Sequence, residues 1–275
     1  MVSDKIVVIQ GIEKSLEALP ENLQWKNFYI KAQIERRENG GYFDLHDHVR
    51  AMVYSLLSSQ TPWIRIEINK AAIDDIFCGY NPDQLAAKDP ILINDQLKKI
   101  KCGSLNRRSQ MQALSGNIDK MAMMDRQTGG IDTFYKTQIT DSEYAHPFER
   151  LIRLLAFDKK YKLQQMGIPL VAEYLRNVGY DIPKPDRHIM RILGPDYLQE
   201  HSRRAPSQEG WAADDLFEAF RIIQNYSKAT DLRQAYIDYL LWSYCADGYG
   251  QICTKDNPKC HQCQIKQSCA RRSAQ

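Results

Sequence analysis

The residues best suited to chemistry are four cysteines near the end of the chain. Cys253, Cys260, Cys263 and Cys269 follow the spacing Cys-x6-Cys-x2-Cys-x5-Cys. Four thiols with such short gaps suit a metal centre better than four separate structural roles. Structural zinc sites usually set two Cys-x2-4-Cys knuckles across a longer segment, and here only Cys260 and Cys263 make such a pair. Iron-sulfur clusters also take four thiolates from compact loops. The spacing points to an iron-sulfur cluster held by residues 253–269, with zinc as the alternative. The total of seven cysteines is odd, which argues against a full disulfide framework. Cys78, Cys102 and Cys245 are scattered and read as buried small hydrophobes.

The same segment is basic. Lys255, Lys259, His261, Lys266, Arg271 and Arg272 face one acid, Asp256. Such a run is a solvated tail or a phosphate footprint. Net charge over the chain is only +3, so any nucleic-acid contact rests on local patches. His46 and His48 bracket Asp47, but histidines two apart do not share a helix face. They read as solvated residues at a helix start, with Asp47 in its first turn. Composition is 43% hydrophobic and 26% charged, that of a globular protein. No apolar run of about 18 residues or more is present, so no membrane span is expected. The N-terminal residues lack a signal-peptide layout, and the cytoplasm is the expected compartment.

Helical spacing dominates the elements that would carry these groups, and the class is all-α. Between Asp44 and Ser59 the apolar residues Val49, Met52, Val53, Leu56 and Leu57 form one face, closed by Thr61-Pro62. Pro82 and Pro90 mark helix starts. Arg107–Met124 reads as one helix, followed by a break at 127–131 around two glycines. Phe148–Ala156 and Lys162–Asn177 follow, the second interrupted at Gly167-Ile168-Pro169. A stiff loop from Gly179 ends at Asp186, placed to cap the next helix. Trp211–Asn225 and Asp231–Ala246 are two more amphipathic helices.

The cysteine spacing, with these elements, resembles the helix-hairpin-helix DNA glycosylases of the endonuclease III and adenine mismatch type. The likeness runs from about Leu45 to Cys269. Val53-Tyr-Ser-Leu-Leu-Ser-Ser-Gln-Thr61 is similar to the family helix whose glutamine fills the gap left by a flipped base, which puts Gln60 in that role. Leu105 stands where relatives push a side chain into the stack, or else is core. Arg107 and Arg108 read as phosphate contacts or solvated residues. Residues 163–172 resemble the hairpin whose N–H groups bind a DNA phosphate. Gly167 and Ile168 fit, but Pro169 replaces the second glycine and removes a donor. Gly179, Pro183, Pro185 and Asp186, followed by His188 and Arg191, are similar to the loop ending in the catalytic aspartate. The resemblance also implies that the cluster is 4Fe-4S and that Lys255 and Lys259 touch DNA phosphates.

Two family features are missing. Lyase members carry a lysine on the second hairpin helix, which forms a Schiff base. No lysine lies between Leu163 and Pro183, and Ile168, Leu170 and Val171 are the aligned candidates. Adenine mismatch enzymes carry an acid where Ser55 stands, and a further C-terminal domain. The resemblance therefore implies a monofunctional glycosylase of base excision repair acting on double-stranded DNA with a damaged, mispaired or modified base. Tyr54 and Trp63 are candidates for stacking on that base, or are core. A catalytically inactive DNA-binding protein of the same fold is the alternative. The implied architecture is two helical lobes, 46–160 and 1–45 with 161–275, acting as a monomer.

Overall fold

The computed structural model describes residues 2–20, 28–204 and 210–271. Among these, the regular elements are helices: α1 Val2–Glu17, α2 Lys31–Glu38, α3 Leu45–Ser58, α4 Trp63–Ile68, α5 Lys70–Ile76, α6 Pro82–Ala87, α7 Pro90–Lys99 and α8 Arg107–Gln112. They continue as α9 Leu114–Thr128, α10 Ile131–Thr140, α11 Glu149–Phe157, α12 Ile168–Asn177, α13 Arg187–Ile192, α14 Ala213–Thr230 and α15 Gln234–Cys245. The expected all-α class is what the structure shows. The segment 107–124 is two helices rather than one, divided at Ala113.

The chain forms two compact units: Ile30–Tyr180, and Met1–Tyr29 with Asp181–Gln275. The first unit is wider than the expected 46–160 lobe. Residues 30–45 and 161–180 join it because α12 packs along α3 and touches α2. Helix α3 forms the spine of this unit. Asp44 caps it by accepting from the Asp47 N–H at 2.9 Å. Val49, Met52, Val53, Leu56 and Leu57 are each 0% exposed. At about 1.5–3 kcal/mol per buried aliphatic side chain, this face contributes on the order of 10 kcal/mol gross. The break after α9 comes from Gly129 and Gly130, at φ +70° and +155°.

In the other unit α1 packs on α14 and α15, and α13 packs on α15. The cysteine segment lies against α1. A Cβ on Gly11 would sit 2.5 Å from Ile265 Cγ2, and Ser15 Oγ accepts from the Gln264 N–H at 3.0 Å. The sequence gives no sign of this docking, because glycine and serine inside a helix carry no periodic signal.

Candidate functional site

In the Ile30–Tyr180 unit, Gln60 follows α3 with φ +60° and an exposed side chain. Leu105 sits on the turn before α8 and is 95% exposed, so it is not core. One residue ties the two loops together. Arg107, expected on the surface, is 0% exposed. Its guanidinium donates to Leu56 O at 2.6 Å, Leu57 O at 3.1 Å, Ser59 O at 3.3 Å and Thr61 Oγ1 at 2.9 Å. It also donates to Gln110 Oε1 at 2.8 Å and Cys102 O at 3.2 Å. These acceptors include carbonyls in the last turn of α3, of which Leu56 O also accepts from the N–H of the C-cap Ser59 at 3.2 Å. Burial pushes the guanidinium down to about 10, so it stays cationic at neutral pH. Arg108, the next residue, is exposed as expected.

Helices α11 and α12 pack together across the connection 158–167, where the hairpin is expected. The turn is pinned by buried Asn117, which accepts from Gln164 N at 2.7 Å and donates to Gln164 O at 3.0 Å. Gln165 takes the left-handed conformation at φ +63°. Gly167 is the exposed N-cap of α12, and Pro169 lies in its first turn. Leu170 N and Val171 N already donate to Gly167 O. With Pro169 lacking its N–H, the N-terminus offers few donors to a phosphate. Ser55 is buried and donates to Leu170 O at 2.5 Å, so it braces α3 against α12. Tyr54 donates to Asp74 at 3.0 Å and the Trp63 indole to Glu67 at 3.0 Å, which places both in the framework beside Gln60.

His48 corrects a second expectation. It is 0% exposed, while His46 is exposed and bonded to Gly79 O. The Tyr135 hydroxyl bonds to that of Tyr174, which bonds to His48 Nδ1, and His48 Nε2 bonds to Asp132 Oδ1 at 3.2 Å. Asp132 also accepts from Arg37 at 2.8 Å and from Phe43 N at 3.0 Å. Burial lowers the His48 imidazole below its usual range and favours the neutral ring. Burial alone would raise the Asp132 carboxyl, but the bonds from His48 and Arg37 outweigh it and hold it at about 2. Asp44, His46 and Asp47 offer ligand atoms within 4.8 Å of one another. Asp44 caps α3 and Asp47 pairs with Arg36 at 2.9 Å, so this cluster is the expected helix start.

In the other unit, Asp186 is the N-cap of α13. Its Oδ1 accepts from His188 N at 2.8 Å and Ile189 N at 3.2 Å. Among the described residues nothing engages its second carboxylate oxygen, and the residue is half-buried. The loop before it is rigid: Lys184 N donates to Asp238 at 2.9 Å, and Asp181 accepts from Ala235 N at 2.8 Å. The four cysteines lie on one half-buried segment of tight turns. Burial raises the Cys263 thiol, which lies beside the Tyr244 hydroxyl and within electrostatic reach of Cys253 and Cys269. Arg191 donates to Cys253 O at 2.6 Å, and Arg271 to Lys255 O at 2.9 Å. Lys255 is exposed and Lys259 half-buried, while Arg272 lies outside the described residues. Cys102 and Cys245 are buried as expected, whereas Cys78 is half-buried in a left-handed turn.

No family model matches the chain. No curated protein matches it either. Two solved structures do. One is the 8-oxoguanine glycosylase/lyase of Methanocaldococcus jannaschii in complex with a 15mer DNA containing 8-oxoguanine: TM-score 0.55, 18% identity, 86% of this chain and 95% of that one. The other is the 8-oxoguanine DNA glycosylase of the same organism: TM-score 0.51, 18% identity, 85% of this chain and 92% of that one. The fold is that of the helical DNA glycosylases. At this identity the likeness covers the fold alone.

Proposed function

We propose that the chain is a DNA glycosylase that removes a damaged, mispaired or modified base from duplex DNA by hydrolysis. The observation that carries this reading is Asp186. In a glycosylase fold it is held by two backbone N–H groups through one oxygen, with the other left open. Cleaving an N-glycosidic bond builds positive charge on the sugar, and a fixed carboxylate stabilises that charge or activates water. Asp186 as an N-cap and Asp186 as a catalyst are thus compatible. Gln60, exposed on a left-handed turn, would fill the gap left by the flipped base, and Leu105 would enter the stack. Gly167, Lys255 and Lys259 would contact the backbone.

The absence of a lyase step is part of the proposal. Helix α12 holds no lysine, and Ile168 and Val171 on it are buried. The similar solved glycosylase/lyase makes this the sharpest point of contrast. Cys253, Cys260, Cys263 and Cys269 would hold a 4Fe-4S cluster, which would brace the segment carrying Lys255 and Lys259. Four thiols on one half-buried segment, with Cys263 within electrostatic reach of Cys253 and Cys269, are a donor set that such a cluster would take. No helix among the described residues is long and apolar enough to cross a membrane.

The degenerate hairpin at Pro169 and the missing lysine together suit a second reading, a DNA-binding protein of this fold without catalysis. One panel separates the two: duplexes carrying 8-oxoguanine, alkylated purines, uracil and mispaired thymine, scored for released base and for borohydride-trapped adducts. Base release without a trapped adduct is expected. A trapped adduct overturns the hydrolytic reading. Binding with no release on any lesion leaves the binder.

A further inference from the structure

The Ile30–Tyr180 unit carries a cationic pocket that the site above does not use. Arg65, Ile68 and Asn69 at the end of α4, with Lys99, Ile100 and Lys101 at the end of α7, line a pocket of about 350 Å³. Three of its six lining residues are cations and none is an acid. The acids next in sequence are engaged elsewhere: Asp95 pairs with Lys98 at 3.0 Å, and Glu67 accepts from the Trp63 indole at 3.0 Å. Among the described residues no ion pair engages the side chains of Arg65, Lys99 or Lys101, and all three are exposed. The carbonyl ends of α4 and α7 each favour one of these cations, Arg65 and Lys99. They do not account for Lys101 or for the convergence of all three on one open pocket. Unpaired like charges gathered on a concave surface raise the local concentration of an anion.

Hydrogen bonds fix this pocket to the surface that carries Gln60 and Leu105. The Cys102 thiol donates to Arg65 O at 3.7 Å, and Cys102 O accepts from Arg107 at 3.2 Å. Arg107 in turn holds Ser59 and Thr61 on either side of Gln60. Ile68, which lines the pocket, is 76% exposed, and Leu105, on the turn between Cys102 and Arg107, is 95% exposed. We infer that this pocket binds a backbone phosphate of the duplex close to the step that Leu105 enters, with Ile68 and Ile100 against the adjoining deoxyribose. The inference rests on the DNA reading above and adds a phosphate site to it.

The test uses the full chain and a duplex with a tetrahydrofuran abasic analogue, titrated over salt concentration. The wild type is compared with Arg65→Gln/Lys99→Gln/Lys101→Gln. All three positions are exposed, so the melting temperature serves as the control for folding. Affinity should fall on the order of tenfold at 0.1–0.15 M salt. The slope of log K against log salt should become shallower by about one unit for each phosphate that is no longer neutralised. A single neutral methylphosphonate in the duplex should cost the wild type affinity and leave the variant unaffected at the matching position. If the wild type binds with a salt slope and the variant matches it, this pocket does not bind DNA and the glycosylase reading stands. If the wild type shows no salt-dependent duplex binding, the glycosylase reading fails and this inference with it. Inorganic phosphate that shifts amide resonances at 65, 69 and 99–101, with the duplex slope unchanged, would identify a free-anion site and overturn the inference.

Discussion

Replacing Arg107 by methionine should unsettle both loops of the proposed DNA-facing surface at once. Methionine keeps much of the volume but removes every donor. Six acceptors, four of them backbone carbonyls, then lose the guanidinium, and Leu56 O keeps only the Ser59 N–H. Hydrogen bonds to a charged group are each worth about 1.5–3 kcal/mol, but removing the cation also removes its desolvation cost. The net loss should be about 3–5 kcal/mol, the range found when one partner of a buried charged network is deleted. For a chain of this size that lowers the melting temperature by on the order of 10 °C. Well below that temperature, binding to the abasic-analogue duplex should still fall at least about tenfold, because Ser59 and Thr61 no longer hold Gln60. Arg107→Lys should recover part of the stability and less of the binding, since one ammonium cannot span six acceptors. Differential scanning fluorimetry and fluorescence anisotropy read the two quantities. An unchanged melting temperature, or full binding by folded Arg107→Met, would refute the positioning role.

Acid should act on the Ile30–Tyr180 unit in two stages. The His48 ring is held neutral when folded, so below its ordinary pKa of about 6.5 the unfolded chain binds the extra proton and stability falls. Asp132 sits at about 2 when folded, so its contribution is present above about 4 and is lost as pH falls towards 2. His48→Gln should remove the first stage only, and equilibrium urea unfolding between pH 7 and 3 would show it. Gly179→Ala should cost about 3 kcal/mol or more in the same assay: its φ is +81°, and a Cβ would lie 2.2 Å from Gln33 O. A loss under about 1 kcal/mol would show that α2 can move away. Protein purified without oxygen should absorb in the visible and carry about four iron atoms per chain. Cys263→Ala should abolish both, and a colourless zinc protein would refute the cluster.

The legible parts of the sequence were those set by local rules. The α3 stripe, the prolines opening α6 and α7, the two glycines after α9 and the cap at Asp186 follow from short-range chemistry and stand as expected. The two misread polar residues share one cause. Arg107 and His48 look like surface residues because charge and polarity are read one residue at a time. Each is buried by partners distant in sequence: Arg107 by the α3 terminus about fifty positions away, His48 by Asp132 and Tyr174. The packing of α1 on the cysteine segment was hidden likewise, since Gly11 and Ser15 act through close approach rather than hydrophobic pattern. One faint signal for Arg107 was there. The end of α3 needs donors for its last carbonyls, and the N–H of its C-cap Ser59 serves only Leu56 O.

The most direct measurement is single-turnover base release by wild type and Asp186→Asn on the best duplex from the lesion panel, with binding to the abasic-analogue duplex measured alongside. Asparagine keeps an oxygen for the α13 cap and removes the charge. Release should slow by at least about a hundredfold, within the range seen when one electrostatic catalytic group is lost, with binding unchanged. Equal release by the two proteins would rule out Asp186 as the catalytic carboxylate.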